Sequence, residues 1–168
     1  MIRWFAVLAV VVAIACAKAD PYPGYVRATE DVRAAVARVV QDYYATRSRA
    51  AAARDATELF GVYPAIAKGE DRTKGINADG FLIERMRLSD IVSLEVDVEE
   101  RDPIIVLVRG DAALALVHGM ETWRYRHGAP GRGEFFTQLD LRRGATGWIL
   151  ERTDESLLGE PRPKTPAP

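Results

Sequence analysis

The sequence predicts an α+β domain in which N-terminal helices pack on one face of an antiparallel sheet. Apolar residues recur at helical spacing from Val32 to Tyr44, and alanine-rich sequence continues the helical propensity to Arg54. After Asp90 the apolar period falls to about two residues, and turns marked by glycine separate the alternating runs. Helices that precede all the strands indicate an α+β arrangement, because parallel folds alternate the two element types.

Three helices are predicted in the first half of the domain. Thr29 is the expected N-cap of the first, and the acidic residues of its first turn suit the helix dipole. A shorter second helix follows Asp55 and ends before Pro64. After a charged loop, a third begins at Asn77 or Asp79. The first helix also carries arginines whose spacing indicates a solvated face rather than an anion site: Arg33, Arg38, Arg47, Arg49 and Arg54.

Five strands are predicted after the helices, joined as an antiparallel meander. Pro103 interrupts the first apolar run, and Arg109-Gly110-Asp111 separates the next two. That tripeptide can also serve as a cell-adhesion motif, but its position between two apolar runs favours a hairpin turn. The predicted strands span residues 91–100, 103–108, 112–126, 134–141 and 148–153.

Residues 1–19 have the pattern of an export signal. Arg3 provides the positive charge, an uncharged run covers residues 4–14, and alanines then alternate before Asp20. A membrane-spanning helix needs about 20 apolar residues, so this run is too short to be a comfortable anchor. We therefore expect an exported protein that is periplasmic, attached to the cell envelope or secreted.

Cys16 is the single cysteine, and two cleavage sites give it opposite fates. Cleavage after the Ala-Lys-Ala sequence, before Asp20, would remove it with the signal. Residues 13–16 alternatively resemble a lipobox, in which Cys16 becomes the lipidated first residue and the only attachment to a membrane. A catalytic thiol is less favoured because no partner set surrounds it.

Charge and composition exclude several classes of function. The chain of 168 residues has a formal net charge of −1, and removal of Arg3 and Lys18 with the signal leaves 21 basic against 24 acidic residues. No basic bias therefore suggests a nucleic-acid partner. The two histidines lack ligand spacing, so no metal site is predicted. The glycine-rich stretch 128–133 leads into a strand rather than a helix, so no nucleotide cofactor is predicted either.

The predicted domain organisation has four parts. The signal covers residues 1–19, a Pro- and Tyr-containing linker or surface arm covers 20–28, and one folded domain covers 29–157. A proline-rich tail, predicted to be disordered, covers 158–168. A domain of this length can bury a core without disulfides.

The opening helix and the closing hairpin resemble the nuclear-transport-factor-2-like (NTF2-like) superfamily, including its SnoaL-like and ketosteroid-isomerase-like branches. The resemblance rests on the sequence VVQDYY at residues 39–44, the meander through 112–150, and the final Gly147-Trp148-Ile149-Leu150. It covers roughly residues 29–153. It implies a cone-shaped fold in which a strongly curved antiparallel sheet wraps around N-terminal helices and leaves a pocket between them.

The same resemblance suggests candidates for a catalytic pair. Isomerase-like members place a tyrosine on the first helix as an oxyanion donor, and Tyr43 occupies that position. They place a carboxylate base after the second helix, where Glu70 and Asp71 are the nearest carboxylates. The alternative reading makes Tyr43 and Tyr44 core aromatics of the first helix. Because Asp71 lies in a charged loop, an ordinary pKa is expected for it.

The strands provide further candidates for the lining of the pocket. His118 shares a strand with Trp123, and a bulge at Gly119 would bring Glu121, Trp123 and Tyr125 onto the face of His118. Each candidate also has a structural alternative as a core residue or a solvated side chain. The predicted pocket residues are Tyr44, His118, Trp123, Gln138 and Asp140.

Two functions remain open from the sequence. The first is a non-catalytic exported module that binds a small apolar ligand or a partner protein through its pocket or sheet, with homodimerisation through the sheet as one form of the latter. The second is an enzyme that shifts a proton next to a carbonyl. The lack of a well-placed base favours the first.

Overall fold

The computed structural model describes residues 20–68, 79–98 and 104–157. The predicted signal with Cys16, the loop with Glu70 and Asp71, the break at Pro103 and the predicted tail lie outside these ranges. The elements within them are β1 (Val26–Arg27), α1 (Glu30–Ala53), α2 (Thr57–Val62), a 3₁₀ turn (Ile66–Lys68), α3 (Asp79–Leu88), β2 (Ile91–Val98), β3 (Ile105–Arg109), β4 (Ala112–Tyr125), β5 (Gly131–Arg143) and β6 (Trp148–Leu157).

The long first helix forms where the sequence predicts it. Thr29 occupies the N-cap position in extended conformation, and its carbonyl accepts a hydrogen bond from Arg33 N at 2.8 Å. The helix ends at Arg54, which takes the left-handed conformation and donates its N–H to the carbonyls of the last turn. The second helix begins beside Asp55, whose carboxylate accepts from the backbone and hydroxyl of Thr57.

The predicted α+β fold class is confirmed, with the helices packed against a six-stranded antiparallel sheet. β4 is the central strand, and it pairs with β5 along one edge. Its other edge is shared, since β3 pairs with the first part of β4 and β2 with the rest. β6 pairs with β5. The short β1, which lies within the segment predicted as a linker or arm, pairs with β3.

Alternation along β4 and β5 gives the sheet two distinct faces. Ala113, Ala115 and Val117 of β4 point toward the helices and belong to the main core. Their small side chains let α1 approach the sheet closely. The alternate residues point to the opposite side, which we call the outer face, and Leu114 and His118 are two of them. The remaining buried apolar residues of the helix-facing core include Val36, Val40, Val106, Phe135, Leu139, Leu141 and Leu150.

β6 contains a bulge at the same end of the sheet as β1. Asp140 pairs with Arg152 and Leu141 with Leu150, so Glu151 is the extra residue. Bulges of this kind bend a strand and increase its twist. None of the helices in the described ranges is both long and apolar enough to cross a membrane.

Candidate functional site

Four polar side chains meet in the interior between α1, α3 and β4. Tyr43 and Arg47 lie one turn apart on α1, Asp79 is the first residue of α3, and Glu121 points from β4 toward the helices. Each of the four is exposed by 2% or less. We call Tyr43, Arg47, Asp79 and Glu121 the interior network.

Hydrogen bonds join these four side chains into one connected set. The Tyr43 hydroxyl donates to one carboxylate oxygen of Asp79, and Arg47 Nε donates to the other. On its opposite side, Arg47 Nη1 donates to Glu121 Oε1 at 2.5 Å. Arg47 therefore connects carboxylates from α3 and β4, and Tyr43 provides a second donor from α1.

Aromatic rings surround the tyrosine end of the network. The Tyr43 ring lies 5.1 Å from that of Tyr44 and 5.5 Å, edge-on, from that of Tyr63. Tyr44 in turn contacts Phe135 of β5 at 5.5 Å between ring centroids. Burial raises the pKa of Tyr43 well above its usual value, and the nearby Asp79 carboxylate raises it further, whereas Arg47 acts in the opposite direction. Tyr43 is therefore a neutral hydrogen-bond donor at physiological pH.

The interior network contains the group types that proton transfer needs, but they face each other. A phenol can donate to a developing oxyanion and a carboxylate can remove a proton when both point at one substrate. Here the Tyr43 proton is directed at Asp79, which also accepts from Arg47. No group of three or more His, Cys, Asp and Glu side chains able to hold a metal ion occurs among the described residues.

A second polar cluster lies on the outer face of the same sheet. Gln138 Nε2 donates to Asp140 Oδ1 at 2.8 Å, both on β5. Asp154 lies directly opposite Gln138 on β6, and Arg152 Nη2 is 3.7 Å from Asp154 Oδ2. We call Gln138, Asp140, Arg152 and Asp154 the outer-face cluster. Gln138 and Asp154 are buried although they point away from the helices.

Burial is the main influence on the pKa of Asp140 in the outer-face cluster. Removal from water raises the pKa of Asp140 above its ordinary value. The hydrogen bond from Gln138 and the charge of Arg152 act to lower this pKa, whereas Asp154 and Glu151 raise it. A carboxyl in these surroundings binds its proton more tightly than an exposed aspartate does.

The structure divides the predicted pocket residues between the two faces of the sheet. Tyr44 and Trp123 lie on the helix-facing side, where Trp123 packs near Met86 and Leu94. The other three, His118, Gln138 and Asp140, point to the outer face. His118 pairs there with Glu134, with Nε2 and Oε1 2.6 Å apart.

Of the two residues proposed as a catalytic pair, Tyr43 is in the interior network. Its carboxylate partner in the described structure is Asp79 of α3. The predicted partner, Asp71, and the lipidation candidate, Cys16, lie outside the described residues.

The bulge expected at Gly119 is absent, and that expectation was wrong. β4 and β5 pair in continuous register from Ala112 to Trp123. Glu121 therefore lies on the face opposite His118. Close packing explains the glycine instead, because a Cβ there would lie 2.4 Å from Asp97 O and 2.7 Å from the Phe135 ring.

The sequence analysis did not identify three members of the interior network, which are Arg47, Asp79 and Glu121. Of these, Arg47 was wrongly assigned to a solvated face. Its position carried a usable signal, because Arg47 continues the helical spacing of the buried α1 residues Val36, Val40, Tyr43 and Ala50. Glu121 likewise continues the alternation of Ala113, Ala115 and Val117 once no bulge is introduced. Asp79 offered no such signal, since helix N-terminal aspartates usually face water.

Comparisons with known proteins identify the fold. No protein-family model matches the chain, and no curated protein matches it in sequence. Three solved structures do match it in fold, and all three are described as NTF2-like. The chain has the NTF2-like fold, as the sequence resemblance predicted.

The three structures are distant in sequence. An NTF2-like protein with a cystatin-like fold from Novosphingobium aromaticivorans has TM-score 0.51 and 21% identity, over 76% of this chain and 82% of its own. An NTF2-like protein from Streptomyces avermitilis, provisionally assigned as a dehydratase, has TM-score 0.56 and 15% identity, over 79% and 100%. An NTF2-like superfamily protein from Salmonella enterica serovar Typhimurium has TM-score 0.51 and 15% identity, over 76% and 94%.

Proposed function

We propose that this chain is an exported, non-catalytic NTF2-like module that binds a partner through the outer face of its sheet. The observation that carries the proposal is the arrangement of the interior network. Tyr43 donates to Asp79, and Arg47 donates to both Asp79 and Glu121, all at 2% exposure or less, so the network joins α1, α3 and β4. A network of this kind serves to fix the packing of the three elements.

The outer face has the composition of a protein-binding surface. Apolar side chains that are only partly buried lie near its middle, around the pair of His118 with Glu134, including Leu116, Met120 and Phe136. Ile105, opposite Leu116 on β3, is more than one-third exposed. Charged pairs border them, such as Arg124 with Glu95. An apolar centre with a charged rim is the usual anatomy of an interface.

A second copy of the chain is the partner that we propose. An antiparallel sheet whose outer face carries apolar side chains can bury them against the same face of another copy, which gives a closed two-fold pair. A small apolar ligand held between helices and sheet is the alternative form of the binding function.

Sedimentation velocity over a concentration series tests this association. We expect self-association of the wild-type chain, with a dissociation constant weakened by at least about tenfold in Ile105→Arg, because a charge would be buried at the interface. Val62→Arg is the matched control, since Val62 is also exposed but belongs to α2 on the helix side. A wild-type chain that stays monomeric, or equal effects of both substitutions, would contradict the proposal.

Export is supported by the signal pattern of residues 1–19. Mass spectrometry of the mature N-terminus distinguishes its two forms, a chain that begins at Asp20 and a chain with lipidated Cys16. If Cys16 carries the lipid, Cys16→Ser should release the protein from the membrane fraction. An uncleaved cytoplasmic chain would refute export.

An enzyme that moves a proton next to a carbonyl is the second candidate. It is favoured by the contact between Tyr43 and Asp79, which places a donor and a carboxylate together inside the fold. One structure of the same fold, from Streptomyces avermitilis, carries a provisional dehydratase assignment. Native mass spectrometry of protein purified from its own host tests this candidate. A co-purifying carbonyl compound that Tyr43→Phe no longer retains, while that variant stays folded, would favour the enzyme.

A further inference from the structure

Residues 20–27, which we call the arm, fold back onto the outer face. Val26 and Arg27 pair with Val108 and Leu107 of β3, and Ala28 N donates to Val106 O at 3.0 Å. The arm thus enters the sheet at the edge of β3. From there it continues across the outer face rather than away from the domain.

A tight turn directs the arm across the sheet. Tyr25 N donates to Tyr22 O at 3.0 Å, and Gly24 between them has a φ of +78°. Proline followed by glycine with positive φ is the sequence of a type II turn. Asp20 Oδ1 accepts from Tyr22 N at 2.9 Å and fixes the start of the arm.

Two tyrosines hold this turn against the outer face. The Arg109 guanidinium lies over the Tyr25 ring, 4.7 Å from its centroid. Partial burial raises the pKa of Tyr22, and the nearby carboxylate of Asp140, two strands further into the sheet, raises it further. The arm is therefore attached to β3 and extends toward Asp140 of β5.

The arm lies toward one end of the row of outer-facing residues of β4, which are apolar at Leu114, Leu116 and Met120 and include His118 between the last two. Leu114, opposite Asp140 at the end that the arm reaches, is only 2% exposed. Leu116 and Met120 follow on the same side of β4 and are less buried. A partner that packs along the whole row must therefore meet the arm.

The attachment of the arm is weak enough to reverse. Its regular pairing with the sheet is the two-residue strand β1, and its side-chain anchors are Tyr22 and Tyr25, which are both partly exposed. A cation–π contact at a partly exposed site contributes about 0.5–1 kcal/mol. Local opening of such a segment needs far less free energy than global unfolding.

We propose that the arm is an autoinhibitory strap that covers the Leu114–Asp140 end of the outer face and lifts when a second copy packs on it. The regulatory consequence rests on the proposed self-association, whereas the covering of the face does not. Because both copies of a two-fold pair must be open, the apparent dissociation constant equals the intrinsic constant divided by the square of the open fraction. Any change that loosens the strap therefore strengthens association.

The covering is tested on the full chain with anilinonaphthalene sulfonate as a probe of exposed apolar surface. In the double variant Tyr22→Ser/Tyr25→Ser, the strap should open, probe emission should rise, and the amides of Val26 and Ala28 should exchange faster. Tyr125→Ser is the matched control, because Tyr125 is an exposed tyrosine at the far end of β4. Arg109→Gln weakens the same strap from the sheet side and should shift both readouts in the same direction.

The two proposals fail in different ways. Unchanged emission and unchanged exchange in both the double variant and Arg109→Gln would overturn the strap, whether or not the chain associates. Increased emission without association at any concentration would overturn the self-association and leave the covering intact. If the strap competes with a second copy, the double variant should associate about tenfold more tightly. Weaker association of an opened variant would instead show that the arm belongs to the interface, and would overturn autoinhibition.

Discussion

The two faces of the sheet each carry a polar cluster, and the two clusters differ in what encloses them. The interior network is enclosed by α1, α3 and β4, and its members bond to one another. The outer-face cluster faces away from the helices, its Asp140 lies near Tyr22 of the arm, and Asp140 receives an amide hydrogen bond from Gln138. Burial alone therefore does not define the role of a polar cluster. A cluster within the main core holds elements together, whereas one under a thin cover can become accessible.

Removal of the Arg47 guanidinium from the interior network should have the largest effect on stability. Arg47→Met leaves the carboxylates of Asp79 and Glu121 buried without their shared cation, so we expect a loss of about 3–5 kcal/mol in the free energy of unfolding. Urea denaturation at neutral pH measures it. Arg49→Met on the same helix is the control, because its pair with Glu58 is exposed and should contribute about 1 kcal/mol or less. Similar losses in the two variants would show that the interior network does not stabilise the fold.

Removal of one tyrosine hydroxyl from each side of the sheet should give a smaller difference in the free energy of unfolding than the arginine substitutions do. Tyr43→Phe removes one of two donors to the buried Asp79 while Arg47 remains, so a loss of about 1–2 kcal/mol is expected. Tyr22→Phe on the arm should change the free energy of unfolding by less than about 0.5 kcal/mol. Thermal denaturation of both variants provides the measurement. A larger effect at Tyr22 would mean that the arm, not the interior, carries the more important hydroxyl.

Much of this fold could be predicted from the sequence, because its signals are local. The buried spacing along α1, the alternation in β4 and the glycine-marked turns each follow from a few neighbouring residues. Those patterns also assigned the helices and strands to one α+β domain of the correct class.

The sites were harder to predict, because their members meet only through the tertiary fold. Tyr43 could be singled out, but its bonds to Asp79 and Arg47 depend on how α3 docks on α1. The bulge wrongly predicted at Gly119 assigned every later residue of β4 to the wrong face of the sheet, since side chains alternate with a period of two. The Tyr-Pro-Gly-Tyr turn of the arm is visible in the sequence, yet nothing in it indicates the face of the sheet on which the arm lies.

The smallest expected effect concerns the sign of a pH dependence at Asp140. Because its pKa is raised by burial, its ionisation opposes folding, and this loss of stability develops as pH rises from the unfolded value of about 3.9 through the folded pKa. Asp140→Asn cannot ionise, and its side-chain oxygen can still accept from Gln138. We therefore expect the stability of Asp140→Asn relative to wild type to increase with pH over that range and then to level off, with a final difference of about 1 kcal/mol or less.

Asp55 provides the control of opposite sign. Hydrogen bonds from Thr57 lower its pKa, so its ionised form stabilises the fold above about pH 3.9, and that contribution is lost as pH falls through the folded pKa. The relative stability of Asp55→Asn should therefore decrease as pH rises. Urea denaturation between pH 3 and 8 measures both trends. Parallel trends in the two variants would show that the arm leaves Asp140 as well solvated as a surface aspartate, and the contrast between an enclosed and a thinly covered cluster would then need a different origin.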